Sequence, residues 1–388
     1  MPPITTTKLL NPGNLRHFSL LLDDTMCDYP ANTLHVICPV LTALHSFRLH
    51  SSLEDHPREF IIDDESPIWR LPRLKSLEVD DMFTVTRPIL VSLSELSLRS
   101  LTLSNFSTSI TAQSPRLHFP ALLNLSLTAS VPGLVDIMQS VSFPNVTGVF
   151  LGVNNDDYES SILKHWTTFH SIYSAFPLSL RRLHIEIRIG LIIMAWTGQT
   201  GPNTLNFNAV VRFLQSLRDL REFTLNVQLP RCIFGLPELQ DGDLRSLITA
   251  CPQLSFFEYD IRRHEEFPRP LERDDPTLDT IFAFARAHPH LQHLCLPYVR
   301  TDSLPADPPP LEDSAKPLEG HGLLWLKITS LAGAPKDGAY LEPIVRAVDR
   351  AFPHLYEEVR RSHGPRSPLR WCLLEKELCT LHTGVKYA

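Results

Sequence analysis

The sequence predicts an α/β fold in which repeating units stack into a solenoid, with a curved parallel sheet inside and helices outside. Two observations predict it. A short leucine-rich phrase with the alternation of a strand recurs along the chain, and segments with the apolar stripe of a helix precede several copies of it. Neither the strand nor the helix of one unit can bury its apolar side alone, so neighbouring units must cover each other.

The phrase consists of a Phe, Leu, Cys or His followed by P-x-L-x-x-L-x-L, with one extra residue in FPLSLRRLHI. Six copies have the proline: LPRLKSLEV (71–79), FPALLNLSL (119–127), FPNVTGVFL (143–151), FPLSLRRLHI (176–185), CPQLSFFEY (251–259) and HPHLQHLCL (288–296). Five copies lack it: NLRHFSL (14–20), LTALHSFRL (41–49), LVSLSELSL (90–98), LRDLREFTL (217–225) and GLLWLKI (322–328). The first anchor of each copy lies 19 to 40 residues from the next, at Leu15, Leu44, Leu74, Leu93, Leu122, Val146, Leu180, Leu220, Leu254, Leu291 and Leu323. This drifting period predicts an irregular leucine-rich-repeat solenoid.

Four segments have the apolar spacing i, i+3, i+4, i+7 of an amphipathic helix. Their apolar positions are Phe207, Val210, Val211, Leu214 and Leu217; Leu244, Leu247, Ile248 and Cys251; Leu278, Ile281, Phe282 and Ala285; and Ile344, Val345, Val348 and Phe352. Asp275 with Pro276, and Pro343, are typical helix starts, and Asp241-Gly242-Asp243 is interpreted as a helix cap rather than as metal carboxylates. The proline of the phrase ends each helix before the next strand begins.

The stretch HPHLQHLC (288–295) has the density of histidine and cysteine that metal sites have. In the repeat, however, Leu291 and Leu294 are core anchors, as is Leu296, and His288 and His290 are predicted to flank Pro289 in a turn. Only His293 and Cys295 then share a strand face. A zinc site needs three or four donors, so we predict no metal here.

The chain divides by sequence into a short N-terminal extension (1–13), a repeat solenoid (14–356) and a C-terminal tail or cap (357–388). Loops are expected to interrupt the solenoid near 51–70 and, in a proline-rich acidic stretch, near 301–320. The segment IEIRIGLIIMAW (185–196) begins as an alternating strand and becomes wholly apolar. It predicts either a buried strand or hairpin, or an exposed patch for a partner at 189–196.

Composition excludes several classes of partner. The net charge of −7 does not favour nucleic acid, and no apolar run approaches the roughly 20 residues that span a bilayer. The N-terminus MPPITTTKLL has no secretion-signal pattern. Seven cysteines, an odd number without a C-x-x-C pair, favour a reducing compartment. We therefore expect a cytoplasmic or nuclear protein that binds neither nucleic acid nor membrane.

The proline-closed phrase at irregular intervals, together with the ending YLEPIVRAVDRAFPHL (340–355), resembles the leucine-rich-repeat region of fungal F-box proteins. The resemblance covers most of residues 10–356. It implies that the repeats recognise the substrate of a ubiquitin ligase, whose adaptor an N-terminal F-box would bind. No F-box is visible before the first repeat at residue 14, so this chain is not expected to bind the adaptor.

No motif of an enzyme is present: G-x-S-x-G, H-E-x-x-H, G-x-x-x-x-G-K-[ST] and G-x-G-x-x-G are all absent. The sequence therefore predicts no catalytic or cofactor-binding residues and no cofactor. A hydrolase whose site is assembled from distant loops is the alternative.

Protein binding has positive support, because a solenoid sheet exposes its remaining strand residues as one concave surface. The expected protein-binding residues on this concave strand face are Arg182, His184, Glu186, Arg188, Asn226, Phe256, Glu258, Asp260, His293, Trp325 and Lys327. Aromatic and arginine side chains of this kind dominate protein interfaces. The sequence thus predicts a non-enzymatic protein-interaction module.

Overall fold

The structure is a computed structural model, and its two compact units are Met1–Pro177 and Leu178–Ala388. It describes residues 15–22, 34, 41–51, 60–61, 66–80, 83–104, 116–155, 172, 175–189, 207–229, 239–263, 274–300, 321–332, 344, 346–348, 351–352 and 355. No helix within these ranges is long and apolar enough to cross a membrane.

The first unit is built on parallel strands joined by short helical connections. Its strands are β1 His17–Leu22, β2 Ser46–Ser51, β3 Phe60–Ile61, β4 Ser76–Val79, β5 Phe83–Thr84, β6 Ser100–Leu103, β7 Leu117–His118, β8 Asn124–Ala129, β9 Val141–Ser142 and β10 Gly148–Asn155. Six of them form a parallel sheet in the order β1-β2-β4-β6-β8-β10, and β3 pairs with β5 and β7 with β9. The connections include a 3-10 helix, Pro67–Arg70, and the α-helices α1 Arg87–Ser94 and α2 Val131–Ser140.

The second unit repeats the same plan with longer elements. Its strands are β11 Arg182–Ile189, β12 Glu222–Leu229, β13 Phe256–Arg263, β14 His293–Arg300 and β15 Trp325–Ala332, and its helices are α3 Asn208–Leu214, α4 Asp241–Ala250 and α5 Leu278–Ala287. Each strand pairs in parallel with the next. Helix α3 packs against α4, and α4 against α5.

The anchors of neighbouring repeats face each other across the strands and form the core. Register partners are Leu77, Leu101, Leu125 and Val149 in the first unit, and Phe223, Phe257, Leu294 and Leu326 in the second. All are almost fully buried. Burial of each such side chain contributes about 1.5–3 kcal/mol. These stacked strand-and-connection units confirm the predicted α/β leucine-rich-repeat solenoid.

The predicted helices before the phrases are also confirmed where the structure describes them. The apolar stripe of α3 is buried from Phe207 to Leu217, and in α4 Leu244 and Leu247 are buried while Ile248 is half-buried. Ile344 and Val348 have helical conformation and are buried. Val345 lies outside the described residues.

One repeat register predicted from the sequence is wrong. The prediction took Leu93 as the first anchor of LVSLSELSL, but Leu93 lies in α1 and the strand is β6. The anchors are therefore Leu98, Leu101 and Leu103, all buried. Proline in the first turn of α1 favours a helix in the stretch that contains Leu90 and Leu93. The leucine spacing alone fits a strand that begins at either Leu93 or Leu98.

The position before the proline belongs to the core rather than to a turn, which corrects the prediction for His288. This histidine is fully buried, as are Phe119, Phe143 and Cys251 at the corresponding positions. The His288 ring lies 2.7 Å (Nδ1 to O) from the Phe284 carbonyl in the preceding helical turn. His290 stays exposed in the turn, as predicted.

The predicted helix starts need smaller corrections. Helix α5 begins two residues later than predicted, with Thr277 rather than Asp275 as its N-cap, and the Thr277 hydroxyl accepts the Thr280 N–H. Helix α4 begins at Asp241 with Gln240 as its N-cap. There the Asp243 carboxylate accepts the Gln240 N–H at 2.9 Å, the capping role expected for this segment.

Several sequence predictions fall partly or wholly outside the described residues. Within the loop expected near 51–70, the structure describes β3 and the 3-10 helix Pro67–Arg70. The loop expected near 301–320, the apolar stretch 190–196, and the segments 1–13 and 357–388 lie outside the described ranges.

Candidate protein-binding surface

The eleven residues predicted to bind a protein all lie in the second unit. They are Arg182, His184, Glu186 and Arg188 on β11; Asn226 on β12; Phe256, Glu258 and Asp260 on β13; His293 on β14; and Trp325 and Lys327 on β15. They alternate with the buried anchors, so they share the opposite side of the strands. We call this side the second-unit strand face.

Strand pairing arranges this face in rows. The first row is Arg182, Glu222, Phe256, His293 and Trp325; the second is His184, Thr224, Glu258, Cys295 and Lys327; the third contains Glu186, Asn226 and Asp260. Glu222 was missed in the sequence-based list, although every first-row residue stands two positions after its anchor. That constant offset is a signal that could have found it.

Three rings stack along the first row. The rings of Phe256 and His293 are 4.0 Å apart between centroids with an interplanar angle of 9°, and those of His293 and Trp325 are 5.9 Å apart at 4°. Their strands are neighbours in register, so the parallel backbones hold the rings parallel. All three residues are half-buried. They form an apolar strip that a partner could cover.

The histidine in this stack is uncharged at neutral pH. Burial, and to a lesser degree the charge of Lys327, lower the pKa of His293 to about 4. Its Nε2 lies 3.8 Å from Glu258 Oε2, but a neutral ring makes this a polar contact rather than an ion pair. Burial also lowers the pKa of His184, against the opposing charge of Glu186. Both histidines therefore add polarity to the face without adding charge.

An ion pair joins the second and third rows. Lys327 Nζ donates to Asp260 Oδ2 at 3.1 Å, and Asp260 is only 2 % exposed. Burial acts to lower the pKa of Lys327, but the nearby Cys295, Asp260 and Glu258 outweigh it, so the net pKa is raised. Asp260 was expected to be open to a partner. Instead its carboxylate is covered, and it orients the lysine.

The third row contains a second polar cluster, around Glu186. Its Oε1 accepts from Arg188 Nε at 3.0 Å and from Gln228 Nε2 at 2.8 Å. Arg188 itself is largely exposed. The next residue in the row is Asn226, whose Oδ1 is buried and has no hydrogen-bond partner among the described residues.

Cys295 stands beside the ring stack and is buried rather than open on the face. Its register partners are Glu258 and Lys327. Within the described parts of the chain, no group of three His, Cys, Asp or Glu residues is placed to hold a metal ion. His293 and Cys295 thus have no third metal donor beside them among the described residues.

No protein-family model matches the chain, and no curated protein matches it. Among solved structures, a protein from Bacteroides fragilis is similar at 12% identity and a TM-score of 0.35, covering 84% of this chain and 69% of that one. An internalin from Listeria monocytogenes is similar at 15% identity and a TM-score of 0.32, covering 82% of this chain and 61% of the internalin. Scores this low carry no argument, so the fold assignment rests on the repeats themselves.

Proposed function

We propose that the chain is a protein-interaction module that binds its partner through the second-unit strand face. The observation that carries the proposal is the stack of Phe256, His293 and Trp325, three half-buried rings on neighbouring strands. Hot spots of protein interfaces typically consist of clustered aromatic side chains surrounded by polar residues. The ion pair of Lys327 with Asp260 and the cluster around Glu186 supply that surround.

The finer proposal concerns the kind of partner. The proline-closed repeat phrase resembles that of fungal F-box proteins, so we propose that the bound protein is a ubiquitin-ligase substrate, met in the cytoplasm or nucleus. The odd number of cysteines supports such a reducing compartment, as does the burial of the free thiols Cys251 and Cys295.

Affinity capture from extracts of the source organism tests the general proposal. The tagged chain is compared with a Phe256→Ala/Trp325→Ala double variant and with a control, Arg212→Ala/Arg286→Ala, that changes exposed residues of α3 and α5. We expect the same proteins with the wild type and the control, and their loss from the strand-face variant. Equal recovery with all three chains would contradict the proposal.

The finer proposal has its own test. Deletion of the gene should lengthen the half-life of the captured protein and lower its ubiquitination, and restoring the Phe256→Ala/Trp325→Ala variant should not reverse either effect. If the deletion leaves the half-life and the ubiquitination of the captured protein unchanged, the ligase role is wrong and the interaction role still holds.

A further inference from the structure

Asn226 differs from its neighbours because its side chain makes no hydrogen bond to any described residue. It lies on β12, and its register partners are Glu186 on β11 and Asp260 on β13. The carboxylate of Glu186 accepts from Arg188 and Gln228, and that of Asp260 accepts from Lys327. Asn226 Oδ1 is buried, and no described residue donates a hydrogen bond to it. Buried polar atoms of this kind are rare and call for a reason.

The chemistry of the amide suggests what would complete the site. A primary amide offers a donor and an acceptor, the same pair that one peptide group of an extended chain presents in return. Among the described residues, none forms a hydrogen bond that holds the Asn226 side chain in its present rotamer, and the terminal torsion of asparagine is soft. Rotation can therefore bring its oxygen to a peptide laid on the face.

Charge around Asn226 adds a second requirement. The two residues that flank it in the row are carboxylates, and Glu258 lies one row away. The two histidines of the face, His184 in the second row and His293 in the first, have lowered pKa values and add no positive charge at pH 7. Lys327 is committed to Asp260, and Arg188 to Glu186. Arg188 and Gln228 both donate to Oε1 of Glu186, so its Oε2 has no hydrogen-bond donor among the described residues. That oxygen can accept from a cationic side chain of the partner.

The ring stack and the third row lie a fixed distance apart along the strands. Phe256 and Asp260 are four residues apart on β13, which is about 13 Å along a strand. An extended peptide aligned with the strands covers that distance in four residues, and side chains four positions apart point to the same side. Glu186 lies in the same row as Asp260, so one side chain can reach Glu186 while another covers the rings.

We propose that the second-unit strand face binds an extended segment of its protein partner, with Asn226 holding the peptide backbone. A lysine or arginine of the segment lies against the carboxylate of Glu186. An apolar side chain four positions away lies on the rings of Phe256, His293 and Trp325. This inference rests on the proposed interaction function and specifies the partner.

Selection of peptides on the wild-type chain tests it directly. The probe is a random dodecapeptide library displayed on phage, and the selected peptides are then synthesised for fluorescence anisotropy. We expect enriched peptides to share a lysine or arginine with an apolar residue four positions before or after it. An acidic consensus, or no enrichment, overturns the proposal.

Variants then locate the contact. Asn226→Leu, similar in shape but apolar, should weaken the selected peptide by about tenfold or more, the effect of losing one to two hydrogen bonds. The matched control is Asn124→Leu, an exposed asparagine on β8 of the first unit, which should leave affinity unchanged. Asn226→Leu should also fold at least as stably as the wild type, because it removes an unpaired amide. Equal weakening by both variants, or by neither, would overturn the assignment.

Failure of the peptide-binding proposal can be distinguished from failure of the proposed interaction function. If a cellular partner depends on Phe256 and Trp325 while no peptide depends on Asn226, the interaction function stands and the peptide mode is wrong. If capture depends on neither ring, the proposed function itself fails.

Discussion

The two units build the same core from repeats of different length. In the first unit the corrected anchors Leu74, Leu98, Leu122 and Val146 are spaced 24 residues apart. In the second unit the intervals are 40, 34, 37 and 32 residues, between Leu180, Leu220, Leu254, Leu291 and Leu323. Strand length also differs and is less uniform in the first unit. There β4 and β6 have four residues, β1, β2 and β8 have six and β10 has eight, whereas β11 to β15 all have eight.

The open faces of these strands differ more than their cores do. The row of the first unit that corresponds to the ring stack is formed by His17, Ser46, Ser76, Ser100, Asn124 and Gly148. In the next row Arg48 pairs with Glu78 at 2.9 Å, and the two side chains are 62% and 34% exposed. Exposed pairs of this kind contribute little stability. An exposed histidine and small residues thus stand where the second unit has its ring stack, and an exposed ion pair stands in place of the buried one.

The comparison shows that the leucine phrase constrains only one side of each strand. Alternate residues never touch the anchors, so their chemistry can change from unit to unit without loss of the fold. The length of the connection is equally free, because only the strand pairs with its neighbour. The stacked rings and the buried ion pair can therefore stand in the second unit, while the first carries exposed charged and small polar side chains.

The largest expected effect is loss of a core anchor in either unit. Leu101→Ala and Leu294→Ala should each lower the free energy of unfolding by about 2–5 kcal/mol, because each leaves a cavity. His293→Ala, next to Leu294 but on the open face, should cost about 1 kcal/mol for its lost ring stacking. Urea denaturation measures all three. In the first unit Leu96→Ala is the control, and a larger loss there than at Leu101 would contradict the corrected register of β6.

The position before the proline should make the two units respond differently to acid. Burial, and secondarily the nearby His321, lower the pKa of His288 below 6.5, while the Phe284 and Cys251 carbonyls act to raise it. The unfolded chain therefore takes up the proton first. The stability that His288 contributes is complete above about pH 6.5 and declines as the pH falls below it.

His288→Phe, which copies Phe119 and Phe143, should flatten this decline between about pH 7 and pH 5. Thermal unfolding across that range measures it. His184 and His293 have the same sign and should leave a residual slope. The converse change, Phe119→His, should add acid sensitivity to the first unit. Parallel pH profiles for wild type and His288→Phe would show that His288 does not set the slope.

A smaller effect is expected at Gly152, where two strands of the first unit approach closely. A Cβ there would lie 2.5 Å from Thr128 Oγ1 and 2.8 Å from Thr128 Cγ2. Gly152→Ala should therefore cost about 1–3 kcal/mol of stability by overpacking. Adding Thr128→Ala should recover most of the loss, and a double-mutant cycle measures the coupling. Additive losses would place the strain elsewhere.

The smallest expected effect is that of metal removal. His293 and Cys295 supply two donors, too few for a zinc site, so protein purified without added zinc should contain none in stoichiometric amount. Dialysis against a chelator should leave the melting temperature unchanged. About one zinc per chain, lost in a His293→Ala/Cys295→Ala double variant, would reverse this conclusion.

Most of the fold and the residues of the strand face could be predicted from the sequence, because the recurring phrase shows which positions of each repeat are buried. The anchors, the proline stops and the helix stripes recur with fixed offsets, so one correct alignment places residues as distant as Arg182 and Trp325 on the same face. The prediction erred at Leu93 because leucines at every second or third position fit two frames. It erred at His288 because a polar residue next to proline is typical of turns, whereas burial there depends on the preceding helix.

The sequence by itself determined the fold class, the core anchors and the side of the strands that stays open, because periodicity decides which residues can be buried together. Only the tertiary structure decided which open residues interact. The parallel stacking of Phe256 on His293, the covering of Asp260 by Lys327 and the unpaired amide of Asn226 depend on pairing between strands that are 30 or more residues apart. Such contacts follow from register and from side-chain reach across strands, which the spacing of residues along one strand does not contain.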